Sequence, residues 1–207
     1  MNKKLAAALS GGAVLVLALS GCSDDNSSDN KVNDWAKKVC DQVKPQLQKI
    51  ANANAAIQQQ TADNSKPADV QKTDSTAFQQ ISQAYKALGA AVDSAGAPPV
   101  DDGETTQKEA VKELNASSAA YAKLQKKVDA LDTKDQAKFA DGLKGIADEL
   151  NKISTNGDQA LKKLQSGEVG AAMAKQPGCQ KPTASAPPAA TPSKKPASPS
   201  ASPSKKS

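Results

Sequence analysis

The chain has 207 residues and a formal net charge of +5, with 27 lysines against 22 acids, no histidine, no arginine, and only one Trp, two Tyr and two Phe. Without histidine the commonest general base, the Ser-His-Asp and Cys-His arrangements and the commonest zinc ligand are missing, and without arginine there is no bidentate clamp for phosphate or carboxylate. No enzymatic activity, cofactor or metal is therefore expected, and no nucleic-acid partner, which would need a basic face interleaved with arginine or aromatic residues.

The first element is a signal. Lys3 and Lys4 precede an apolar run from Leu5 to Leu19, interrupted only by Ser10, Gly11 and Gly12, and Ser20-Gly21-Cys22 follows. A helix over these 15 residues covers about 22 Å, short of the ~30 Å hydrocarbon core of a bilayer, so the pattern is a secretory signal and not a membrane span. Leu19-Ser20-Gly21-Cys22 resembles the lipobox of bacterial lipoprotein precursors. That resemblance implies a signal peptide over residues 1–21, cleavage after Gly21, and diacylation of Cys22, which becomes the N-terminus. It places the protein at the cell membrane, lipid-anchored on the extracytoplasmic face.

The stretch SDDNSSDN from Ser23 to Asn30 has no apolar side chain, so residues 22–31 are expected to be the lipidated cysteine and a polar tether. Residues 32–180 form one folding unit, long enough for a single core. All 22 acids and 20 of the 27 lysines lie between Ser23 and Gln180, so this body is slightly acidic and the excess positive charge is not its property.

Four helical patterns occupy the body. In the first, Ala36, Val39, Val43, Leu47, Ile50, Ala53 and Ile57 recur at spacings of three and four, the stripe of an amphipathic helix. Pro45 interrupts it and predicts a kink near Asp41 or a restart there. The second runs from about Ser75 to Ser94 on Phe78, Ile81, Tyr85, Leu88 and Val92, with Asp74 as N-cap and Gly96, Pro98 and Pro99 as the stop. The third, from about Glu104 to Leu131, carries Val111, Leu114, Ser118, Tyr121, Leu124, Val128 and Leu131. Asp101, Asp102 and Glu104 crowd its start, where the helix dipole favours negative charge. The fourth begins after Asp132 on Phe139, Leu143, Ile146, Leu150 and Ile153. Leu161 and Leu164 continue it beyond Asn156-Gly157, a pair that either breaks or frays the helix. A short turn from Glu168 to Lys175 leads to Cys179.

No period-two segment rich in Val, Ile and Thr occurs, so the expected fold class is all-α, an antiparallel up-down four-helix bundle with a thin core. Residues 181–207 contain only Pro, Ala, Ser, Lys and Thr and carry five lysines. Lacking large apolar side chains, they are expected to form a disordered tail of polyproline character.

With Cys22 acylated, Cys40 and Cys179 remain, and an even pair in an exported domain predicts a disulfide. Trp35, Tyr85 and Tyr121 lie on or beside helical stripes. They are expected to fill the core, or alternatively to line a small-ligand site between helices. Asp101-Asp102-Gly103-Glu104 lacks the alternating pattern of a calcium loop, and Ser202-Pro203-Ser204-Lys205 lacks the companion motifs of a penicillin-binding site. Trp35 with Cys40 five residues on and a late Cys179 resembles the small secreted lipoproteins of actinobacteria. That family implies an envelope location and no established activity. The expected function is a non-enzymatic surface interaction or scaffold protein. Its partners would be the membrane, through the lipid, and an envelope protein or anionic wall polymer.

Overall fold

The computed structural model describes residues 24–62, 65–156 and 159–180; the expected signal peptide over 1–21, Cys22 and the expected tail over 181–207 lie outside them. The described chain is all-helical: α1 (Asp24–Ala62), α2 (Pro67–Ala95), α3 (Gly103–Asp129), α4 (Gln136–Asn156), α5 (Gln159–Leu164), α6 (Gly167–Ala174) and a closing 3-10 turn (Pro177–Cys179).

Helix α1 departs from expectation at its start, and of the two outcomes expected at Pro45 the restart does not occur. The polar segment read as a tether is helical from Asp24 onward. Extending a helix that is already nucleated costs little per residue. Val32, one turn ahead of Ala36, is also buried and carries the stripe a turn further back than the sequence reading had it. At Pro45 the helix neither stops nor restarts. The ring removes one hydrogen bond, but Pro45 faces solvent and the stripe is buried on both sides of it, at Val39 and Ala53.

Helix α2 begins two turns before Ser75. Lys66 occupies the N-cap and Pro67 the first turn, where its fixed φ suits the helix and its missing N–H is no loss. Asp74 is therefore not an N-cap but an interior residue on the buried face. The other end closes as expected: Gly96 takes φ +79° and its N–H donates to the Asp93 carbonyl at 3.1 Å. Helix α3 starts at Gly103, whose backbone is so close to the Pro98 carbonyl that a Cβ would stand 2.0 Å from the oxygen. Helix α4 starts at Gln136, capped by Asp135 Oδ1, which accepts from the Ala137 and Lys138 N–H groups at 3.1 Å each. Hydrogen bonds from the Lys138 backbone and side chain, and then from the Ala137 N–H, hold the Asp135 carboxyl below its ordinary pKa.

Contacts between helix ends give the directions. Trp35 Nε1 donates to the Gly96 carbonyl at 2.8 Å and Lys38 Nζ to the Ser94 carbonyl at 2.8 Å, so the start of α1 meets the end of α2. Gln71 Nε2 donates to the Val128 and Leu131 carbonyls at 2.9 Å each, so the start of α2 meets the end of α3. Ser82 Oγ donates to the Ser118 carbonyl at 2.8 Å midway. Thus α1, α2 and α3 pack antiparallel in succession. α4 runs back along α3 through the Lys127–Glu149 ion pair, and α5 continues with Lys163 to Glu109 at 3.4 Å. α6 and the 3-10 turn then lie on α1.

The core has two halves. One gathers Val32, Ala36 and Val39 of α1, Leu88 and Val92 of α2, Leu114 of α3 and the α6 residues Val169, Ala172 and Met173. The other gathers Ala53, Phe78, Ile81, Leu124, Val128 and Ile146. Ile50 and Tyr85 pack against both and join them.

Candidate functional site

Cys40 and Cys179 are bonded, with their Cα atoms 4.9 Å apart and 139 positions of chain enclosed. Cys40 is fully buried next to Val39, while Cys179 keeps part of its surface exposed. Gly178 lets the turn approach α1: a Cβ there would lie 2.2 Å from the Cys40 carbonyl oxygen. In the loop-entropy description such a closure is worth at most about 5 kcal/mol.

The three aromatic residues proposed from sequence for a ligand or partner contact do not converge. Trp35 is buried at the disulfide end and its indole N–H is spent on Gly96. Tyr85 lies eleven positions before Gly96 in α2, about 16 Å along the helix at 1.5 Å per residue. Tyr85 and Tyr121 stack with ring centroids 5.5 Å apart, and Phe78 packs on Tyr121 at 6.1 Å. Burial, with a smaller contribution from Tyr85, pushes the Tyr121 hydroxyl up to about 12. This is the environment of core aromatic side chains across α2 and α3.

Asp74 was misread in the sequence. It lies on the buried face of α2 between Val70 and Phe78 and is only 6% exposed. Among the described residues its Oδ1 has no hydrogen-bond partner, and burial pushes its pKa up to about 6. Its spacing carried the signal: Val70, Asp74, Phe78 and Ile81 continue one stripe.

Two surface features remain. A groove of about 450 Å³ lies between α1 and α2, with Ala56 and Ala77 at its base and Gln60, Asp69, Thr73 and Gln80 along it. The second is a set of partly open aliphatic side chains. Leu47, Ile50 and Ile57 of α1 and Leu143, Leu150 and Ile153 of α4 are all only half-buried. α4 packs principally on α3, and Leu47 belongs to neither half of the core.

Among the described residues no three His, Cys, Asp or Glu side chains are grouped to hold a metal ion, and no helix is long and apolar enough to cross a membrane. Compared with protein-family models, curated proteins and solved structures, the chain matches none.

Proposed function

We propose that the protein is a lipid-anchored cell-envelope protein on the extracytoplasmic face, acting as a non-enzymatic interaction or scaffold module. In this reading α1, α2, α3 and the α4–α5 pair are the four arms of an up-down bundle. Its working surface is the set of partly open aliphatic side chains on the far half of α1 and on α4. The observation that carries the reading is that Leu47, Ile50 and Ile57 of α1 and Leu143, Leu150 and Ile153 of α4 remain half-buried. Aliphatic side chains left partly open along a helix suit an added helix from another envelope component. The alternative, a small-ligand site lined by Trp35, Tyr85 and Tyr121, has less support, because those side chains pack against each other or against backbone.

The anchor rests on Cys22, the lipobox cysteine. Cys22→Ala should move the protein from the membrane fraction to the medium, and full membrane retention would refute anchoring. For these side chains, a photo-reactive residue at position 150 should give a discrete adduct in intact cells that Leu47→Glu abolishes. Adducts indifferent to Leu47→Glu would refute the working surface, whatever becomes of the anchor.

A further inference from the structure

Residues 165–180 are built as a strap. The chain leaves α5 through Ser166 and Gly167, whose φ of +59° is one that L side chains rarely adopt. It then forms α6, eight residues that include Gly167 and Gly170. A helix this short does not hold itself together in water, so its shape is lent by what it lies on. Three side chains, Val169, Ala172 and Met173, join Val32, Ala36 and Val39 of α1 in one half of the core. Beyond that apolar contact, the strap is tied to α1 by the Cys40–Cys179 bond, with Gly178 setting the close register beside Cys40. The packing of α1 on α2 does not pass through the strap: it has its own apolar stripe and the Trp35–Gly96 and Lys38–Ser94 hydrogen bonds.

We infer that the strap is a thiol-operated latch: opening the Cys40–Cys179 bond releases α6 and the terminal turn while α1, α2 and α3 stay folded, uncovering the Val32, Ala36 and Val39 strip of α1. The reductant is a dithiol, a small molecule or a thioredoxin-like protein. Its thiolate attacks the sulfur of Cys179, because Cys40 has no exposed surface. The S–S bond breaks, Cys40 leaves as thiolate and takes up a proton, and a mixed disulfide stands on Cys179. The second thiol of the reductant resolves it, leaving Cys179 as a thiol and the reductant as an internal disulfide. Two electrons and two protons pass to the protein. The strap carries the attacked sulfur, so the mixed disulfide forms on the part that moves.

The inference is independent of the anchor, and its test uses the full chain carrying Cys22→Ala, which also removes the third thiol. Hydrogen exchange is followed by mass spectrometry before and after dithiothreitol. Exchange should quicken about ten-fold or more across 167–179 and change less than about two-fold across Ala77–Val92 and Ala110–Val128. In a Cys179→Ser variant, the Cys40 thiol should be labelled by a maleimide in the folded protein. Exchange unchanged in the strap, with Cys40 protected, would mean that apolar contact alone holds it. Exchange rising throughout α2 and α3 would mean that the bond holds the whole fold. Either result overturns the latch.

Discussion

Asp74 offers the sharpest test of the packing, because a carboxyl in the core makes stability depend on pH in an unusual direction. Its pKa lies at about 6 instead of 3.8, and burial is the cause. A folded state that binds a proton more tightly than the unfolded chain gains stability from this group in acid. That contribution is complete below about pH 4 and is lost as the pH rises through 6. The gap of roughly two pH units corresponds to at most about 3 kcal/mol at ~1.4 kcal/mol per unit. Asp74→Asn removes the titration and keeps the shape. Because the amide also has to be buried, the comparison at one pH mixes two effects. The change of the mutant–wild-type difference with pH does not, since the cost of the amide is constant. Urea unfolding followed by circular dichroism at pH 4.5 and 7.5 should show that difference moving in favour of Asn by about 2 kcal/mol, equivalent to several degrees in Tm. The Asp135 cap works the other way, its contribution being lost in acid, and it cancels between the two proteins. A difference that stays flat with pH would refute the argument that Asp74 is a desolvated carboxyl in the core.

Three further outcomes follow from particular contacts. Gly103→Ala places a methyl 2.0 Å from the Pro98 carbonyl and should cost about 1–3 kcal/mol, whereas Gly145→Ala, with nothing within 4 Å, should stabilise α4 by about 0.5–1 kcal/mol; thermal unfolding of the two variants decides. Trp35→Phe leaves the Gly96 carbonyl without its 2.8 Å donor and should cost about 1–2 kcal/mol by denaturant titration. Deleting residues 181–207, with their five lysines, should weaken binding of the unlipidated protein to anionic vesicles at low salt, each lysine contributing about 1 kcal/mol at most; equal binding of both forms would deny the tail an electrostatic role.

Most of the helical layout was legible because its signal is periodic. The spacings of three and four in α2, α3 and α4 placed Phe78, Ile81, Leu114, Leu124, Val128 and Ile146 on buried faces, where they lie. The cysteine pair followed from arithmetic. What misled was local chemistry read without its tertiary setting. Asp is a favoured N-cap residue, so Asp74 looked like a start, but Pro67 starts the helix two turns earlier and Val70 extends the stripe past it. The Ser23–Asn30 segment has no apolar residue and nothing of its own to bury. From Asp24 onward it is helical because α1 is nucleated further on, a cooperative effect that composition does not record. At Pro45 the helix does not restart, because apolar burial on both sides of it outweighs one lost hydrogen bond. The partial burial of Leu47, Ile50, Leu150 and Ile153 was not legible at all. Leu47 and Leu150 satisfy the same spacing rule as Leu88 and Leu124, and only the packing separates the sealed from the half-open positions.

The two ends of the molecule are built differently. At the end where α1 begins, the chain is fixed by a covalent bond at Cys40, by the Trp35 hydrogen bond to Gly96, and by two glycines pressed onto carbonyls at Pro98 and Cys40. These are constraints that tolerate little movement, because each relies on contact too close for a larger residue. At the other end, α4 rests on α3 while Ile57, Leu150 and Ile153 remain partly open, and among the described residues the buried Asp74 Oδ1 has no hydrogen-bond partner. For a protein held by Cys22 ahead of α1, the asymmetry has a direct consequence. The rigid end would sit towards the anchor, with residues 24–31 of α1 adding about 12 Å of helix between them at 1.5 Å per residue. The partly open side chains of α4 would then lie away from the membrane, where a partner helix can reach them.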